Sequence, residues 1–214
     1  MEKAREEQVV ALCQELIQQK SYSGEENGVV KVLSDRMKEM GFDTVTIDRY
    51  GNIIGCIKGN RPGKKILFDG HIDTVPVTEE KEWQYPPFAA EIHDGKIYGR
   101  GTSDMKGAVA AMTSAAACFA QDTKKDFAGE IYVAGVVHEE CFEGVAAREI
   151  SKQVQPDYVV IGEASQLNIK IGQRGRAEIV IETFGKPCHS ANPEKGINAV
   201  YKMAKVIEAI RTLE

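Results

Sequence analysis

Long hydrophobic runs are missing from this 214-residue chain. Its apolar stretches are short and broken by charge, so no segment reads as a membrane span and a membrane partner is not expected. A basic cluster is also missing. Its 27 lysines and arginines are scattered among 32 acidic residues, and the net charge of −5 argues against nucleic acid or an anionic membrane surface as the main partner. There is no C-x-x-C pair. The five cysteines (13, 56, 118, 141 and 188) are odd in number and widely spaced, which fits a reducing, cytoplasmic location better than a disulfide framework. The opening "MEKAREEQVV" is charged and helical in character, unlike a signal peptide, and repeats and low-complexity tracts are absent. What remains is an ordinary soluble composition, 43% apolar and 28% charged, enough for one domain plus part of another.

Hydrophobic spacing then orders the chain. Val9, Val10, Leu12, Cys13, Leu16 and Ile17 predict a first helix. A second carries Val29, Val30, Leu33, Met37 and Met40, with Ser23 and Glu26 spaced as a capping box before it and Gly41 as its stop. Strands follow in "TVTID", "NIIGCIKG" and "KKILFDG", then helix "GAVAAMTSAAACFA", strand "GEIYVAGVV", helix "GVAAREISKQV" and strand "DYVVIGE". Apolar strands alternating with helices predict an α/β fold, a layered mixed sheet with helices on both faces. After "GQRGR" the alternating "RAEIVIETFG" reads as a strand and "GINAVYKMAKVIEAIRTLE" as an amphipathic helix. The expected domains are 1–174 and the start of a smaller α+β unit at 175–214.

Ligands of open α/β sheets gather beyond the carboxyl ends of the strands. Here those ends deliver His71 and Asp73 ("ILFDGHIDTV"), Glu139 and Glu140 ("GVVHEE"), and Glu163 ("VVIGEAS"), while "GRGTSDMKG" offers Asp104 just before a helix. Each alone has an ordinary reading: a loop histidine, a turn or cap aspartate, a surface glutamate. Together they would repel one another unless cations sat among them, and divalent metals with N/O ligands, zinc first, meet that need. The glycine-rich loop does not read as a nucleotide cradle, because Asp104 stands where a dinucleotide fingerprint needs glycine and no Walker spacing is present. In plain strand, Glu139 and Glu140 would point to opposite faces; both serve one site only if the strand ends at them.

The ordered motifs "DGHIDTV", "GRGTSDMKG", "HEECFEG", "GEAS" and "PCHSANPEKGINA" resemble the di-zinc amidohydrolases and exopeptidases that include aminoacylase, acetylornithine deacetylase, succinyl-diaminopimelate desuccinylase and carboxypeptidase G. "GQRGRAEI" with "PCHSANPEKGINAVYKM" is most similar to a subgroup labelled selenium-metabolism-linked hydrolases. The resemblance implies that His71 and Glu163 bind one metal, Asp104 bridges both and Glu140 serves the second. It implies Asp73 holding the other His71 nitrogen, Glu139 as general base for water activated between the metals, and His189 stabilising the oxyanion in a neighbouring subunit. Zn2+ would be the cofactor, two per site, with Co2+ or Mn2+ as substitutes. The implied substrate is a small N-acyl amino acid or a peptide, cleaved by a deacylase or a dipeptidase that forms a homodimer through the smaller domain. His138 would support the site, His93 would sit in a surface turn, and Arg174 and Arg176 would serve a hinge, a substrate carboxylate or plain ion pairs. The family's chains are roughly twice as long and supply a further histidine to the second metal. These residues are therefore expected to be an N-terminal part, with a catalytically silent binding or assembly module as the reading from another class.

Overall fold

The first two apolar stripes form helices α1 (Glu2–Gln18) and α2 (Asn27–Glu39) in the computed structural model, which describes residues 2–142 and 144–213. Leu12, Leu16 and Ile17 of α1 and Val29, Leu33 and Met37 of α2 are fully buried in one core. Gly41, at φ +85°, ends α2 in the left-handed conformation that suits glycine, with its N–H on the Lys38 carbonyl.

The expected capping box does not form. A turn closed by Glu25 N–H on the Tyr22 carbonyl, with Gly24 at φ +93° inside it, delays the helix until Asn27. Glu26 becomes the N-cap without a side-chain cap bond, so the box is out of register. Both side chains turn to distant partners instead: Ser23 Oγ donates to Asp73 Oδ2 at 2.6 Å, and Glu26 Oε1 accepts from His138 N–H at 3.1 Å.

The main sheet contains β1 (Thr44–Ile47), β2 (Ile53–Lys58), β3 (Arg61–His71), β6 (Ala128–Val136) and β7 (Tyr158–Ile161), in the order β1-β2-β6-β3-β7. β1, β2 and β6 pair antiparallel, whereas β6, β3 and β7 run parallel, so this last trio ends along one edge. Helices α3 (Gly107–Asp122) and α4 (Val145–Val154) pack on β3 and β6. Gly70 makes the approach of α3 possible, because a Cβ there would meet Met105 Cε at 2.6 Å and Val109 Cγ2 at 2.9 Å. The sheet is mixed and helices pack on it, as the sequence pattern indicates.

Between β3 and α3 lies a hairpin that sequence periodicity does not reveal, β4 (Glu91–His93) with β5 (Lys96–Tyr98). Asp94 and Gly95 are both left-handed, the conformation a two-residue type I′ turn requires. His93 closes β4 beside this turn, pairs with Glu91 at 2.7 Å and stacks on Tyr85 with ring centroids 3.8 Å apart.

Contacts divide the chain into the units Met1–Asn168 and Ile169–Glu214. In the second unit, helix α5 (Ala199–Ile210) is capped by Asn198, whose side chain accepts from Val200 N–H at 2.9 Å. The expected strand "RAEIVIETFG" is not one. It joins no sheet ladder among the described residues, and Ile179 and Val180 are exposed. A strand needs a partner's N–H and C=O groups as well as an alternating pattern, and the only ladder contact described nearby is the isolated bridge Lys186–Ile197.

Candidate metal centre

Three parallel strand ends and one helix-leading loop build the site. His71 is the last residue of β3, in register with Val136, and is 3% exposed. Glu163 follows β7 by two residues, and Gly162 N–H donates to the Asp69 carbonyl, which carries the pairing of β7 with β3 one residue further. Asp104 leaves the kinked turn Thr102–Lys106 that opens into α3. His71 Nε2 lies 2.8 Å from Asp104 Oδ1 and 3.6 Å from Glu163 Oε1. Donor atoms of His71, Asp104 and Glu140 all fall within 4.8 Å of one another. Ligands held ~2.0–2.2 Å from one zinc ion lie roughly 3–4 Å apart, so the donor set fits a borderline divalent metal after small adjustments. The other ring nitrogen, Nδ1, donates to the Asp73 backbone carbonyl at 2.9 Å, leaving Nε2 for the site.

Side-chain acceptors from elsewhere in the fold hold the loop after β6. Val137 N–H donates to Asn52 Oδ1 at 3.0 Å and His138 N–H to Glu26 Oε1 at 3.1 Å. Glu139 N–H and Glu140 N–H donate to the two oxygens of Asp73, each at 3.1 Å. Side chains thus accept four successive N–H groups once the ladder stops, and the backbone departs from strand geometry with His138 left-handed at φ +59°. Asn52 and Asp73 are fully buried, and Glu26 is 5% exposed. Sequence reasoning gave no functional place to Asn52 or Glu26.

Charge in the centre is one-sided. Burial alone would lower the His71 pKa; hydrogen bonds to Asp73 and Asp104, with the charge of Glu163, outweigh it and push the value up to about 10. Burial raises Glu139, Glu140 and Glu163 above the usual carboxylate range, and mutual repulsion adds to this against the pull of His71. Asp73 is held low, because its hydrogen bonds from His71, Ser23 and the two glutamate N–H groups overcome its burial. Five carboxylates around one imidazole are a surplus of negative charge that a divalent cation would balance.

Lys106, two residues past Asp104, does not supply that cation. Its ammonium is fully buried and donates to the Leu16 and Gln19 carbonyls at 3.0 and 2.8 Å, tying the Asp104 loop to the end of α1. Burial lowers its pKa to about 8 despite the attraction of Asp73. Lys106→Ala is expected to lower the unfolding free energy by about 2–4 kcal/mol, combining a cavity with the loss of both ammonium hydrogen bonds. Urea denaturation reads this directly, and an unshifted midpoint would contradict it.

His138 borders the site on the Glu26 side, with Nδ1 3.7 Å from Glu26 Oε1. His189, Arg174 and Arg176 belong to the second unit; His189 is exposed there and its Nδ1 accepts from Ala191 N–H at 3.1 Å.

Residues 67–212 match the family described as peptidase family M20/M25/M40. The chain belongs to this family. The M20 chain is 35% identical over 217 residues to the uncharacterized protein YgeY of Escherichia coli K12, covering 100% of this chain and 53% of that one. It is 34% identical over 211 residues to succinyl-diaminopimelate desuccinylase 2 of a Ruegeria species, covering 93% and 53%. In structure it is similar to the M20 family metallo-carboxypeptidase Sso-CP2 of Sulfolobus solfataricus, with a TM-score of 0.70, 22% identity, and 93% and 48% of the two chains covered. The M20 chain spans about half the length of the curated relatives it matches.

Proposed function

We propose that these residues form the metal-binding part of a hydrolase that cleaves an amide bond in a small N-acyl amino acid or short peptide. The observation that carries this reading is the convergence of His71, Asp104, Glu140 and Glu163 from separate elements to ligand spacing. The similarity to a desuccinylase, an amide-cleaving enzyme by its name, supports the deacylase side of the substrate class. Zn2+ is the proposed metal, with two ions in a full site; His71 and Glu163 would hold one and Glu140 the other, with Asp104 serving both. Metals bound there would acidify water and polarise the scissile carbonyl.

The chain's own groups do the proton handling. Glu139, whose N–H rests on the Asp73 carboxylate, has its carboxyl raised above the usual range by partial burial, so it can take a proton from the attacking water and return it to the leaving nitrogen. Asp73 fixes the His71 tautomer through its carbonyl and the Glu139–Glu140 turn through its carboxylate. His189 is proposed to stabilise the oxyanion of a neighbouring subunit in a homodimer joined through the smaller unit. We also propose a cytoplasmic location; among the described residues no helix is long and apolar enough to cross a membrane.

Elemental analysis after dialysis against zinc tests the reading. One or two zinc ions per folded chain are expected, with His71→Ala losing them. A folded chain that holds no zinc would overturn the proposal in favour of a binding or assembly module.

A further inference from the structure

Glu26 sits far from the metal ligands in sequence, at the start of α2, yet its carboxylate reaches the turn that carries two of the acids. It is nearly inaccessible to solvent and, although placed at the helix N-cap, makes no side-chain cap bond. Its near contact is the backbone N–H of His138 at 3.1 Å; the imidazole Nδ1, at 3.7 Å, is too far for a hydrogen bond. The loop ahead of it lies against the same turn, with a Cβ built on Gly24 3.8 Å from His138 Cε1. Ser23, one residue earlier, donates to Asp73, which in turn accepts from Glu139 and Glu140.

We propose that Glu26 is a positioning residue for the metal centre: by accepting the His138 N–H it holds that residue left-handed, which turns the Glu139 and Glu140 carboxylates toward one site. A left-handed backbone is uncommon for a residue with a Cβ and persists where surrounding bonds over-determine it. Without Glu26, His138 relaxes toward the extended conformation of the strand before it. Successive side chains of an extended chain alternate, so Glu140 and Glu139 would then point to opposite sides. His71, Asp104 and Glu163 ride on other elements and keep their places. The effect should therefore fall on the ligand that Glu140 supplies, with the fold retained. This inference rests on the metal-binding reading above.

The test is zinc affinity by calorimetric titration of the whole chain, with the visible absorption of the Co2+-substituted protein as a report on ligand geometry. Glu26→Ala is expected to weaken zinc binding about 10–100-fold, the scale for partners that orient ligands, and to change the Co2+ spectrum. Glu26→Gln keeps an oxygen acceptor of the same reach and should restore both. Adding His138→Gly to Glu26→Ala should recover most of the affinity, because glycine adopts the left-handed backbone without support. Glu25→Ala, at the exposed neighbour, should change nothing. An unaltered affinity and spectrum in Glu26→Ala, or no recovery with His138→Gly, would overturn the inference. Should Glu26→Ala fail to fold, Glu26→Asp, which draws the acceptor back by one methylene, must lose zinc where Glu26→Gln keeps it; equal binding by the two would overturn it as well. If the unsubstituted chain binds no zinc while folded, the proposed function falls, and this inference with it.

Discussion

Replacing Glu139 with glutamine will lower hydrolysis of an N-acyl amino acid or dipeptide by at least about 10²-fold while leaving bound zinc unchanged. The expectation follows from how the two neighbouring acids are held. Their N–H groups share the two oxygens of Asp73, so their backbones are fixed alike and only their side chains divide the work. Glu140 belongs to the set of donor atoms lying within 4.8 Å of each other with His71 and Asp104. Glu139 is not in that set, and burial, with the neighbouring acids, raises its carboxyl against the pull of His71. Glutamine at 139 keeps size and hydrogen bonding but cannot carry a proton away from water, so turnover falls and metal stays. Glu140→Gln removes a proposed charged ligand, so metal should fall first. Metal content and turnover are measured together on both variants, in a form of the protein that turns over substrate. Equal loss of zinc in the two would contradict this division.

That pairing could be half read from the sequence. Three apolar runs, each ending in histidine or acid, pointed to one sheet edge because parallel strands present their carboxyl ends together, and β6, β3 and β7 do so. What held the acids in place could not be read. Asn52 and Glu26 act on residues 85 and 112 positions away, and nothing in a local pattern encodes an acceptor at that distance. Ser23 and Glu26 showed the spacing of a helix cap, but the turn at Gly24 shifted the helix start and freed both for long-range bonds. The hairpin of β4 and β5 was missed because three-residue strands are too short for a period-two signal. The segment "RAEIVIETFG" erred the other way: its alternation is clear, but pairing depends on a partner strand that the described residues do not place beside it.

Zinc affinity will rise about tenfold per pH unit between about pH 6 and 8, and will go on rising above pH 7 where an ordinary histidine ligand would level off. The cause is the proton that His71 holds in the metal-free centre. Its pKa is pushed up to about 10 by Asp73, Asp104 and Glu163 acting against burial. Below that value the imidazole is protonated, and Nε2 must release its proton before it can bind zinc. Each proton displaced adds one unit to the slope of log affinity against pH. The raised carboxylates Glu139, Glu140 and Glu163 add further protons at the acid end, so the curve should steepen there. Stability of the metal-free chain runs in the opposite sense. A histidine whose folded pKa exceeds its unfolded value contributes fully below about 6.5, and the contribution is lost as pH climbs through about 10. Raising the pH therefore loosens the empty centre and strengthens its hold on zinc. Calorimetry at pH 7.5 in buffers of different ionisation enthalpy should count about one proton released per zinc. A count near zero, with affinity flat above pH 7, would mean that His71 is already neutral, and that the acids around it do not act as the geometry requires.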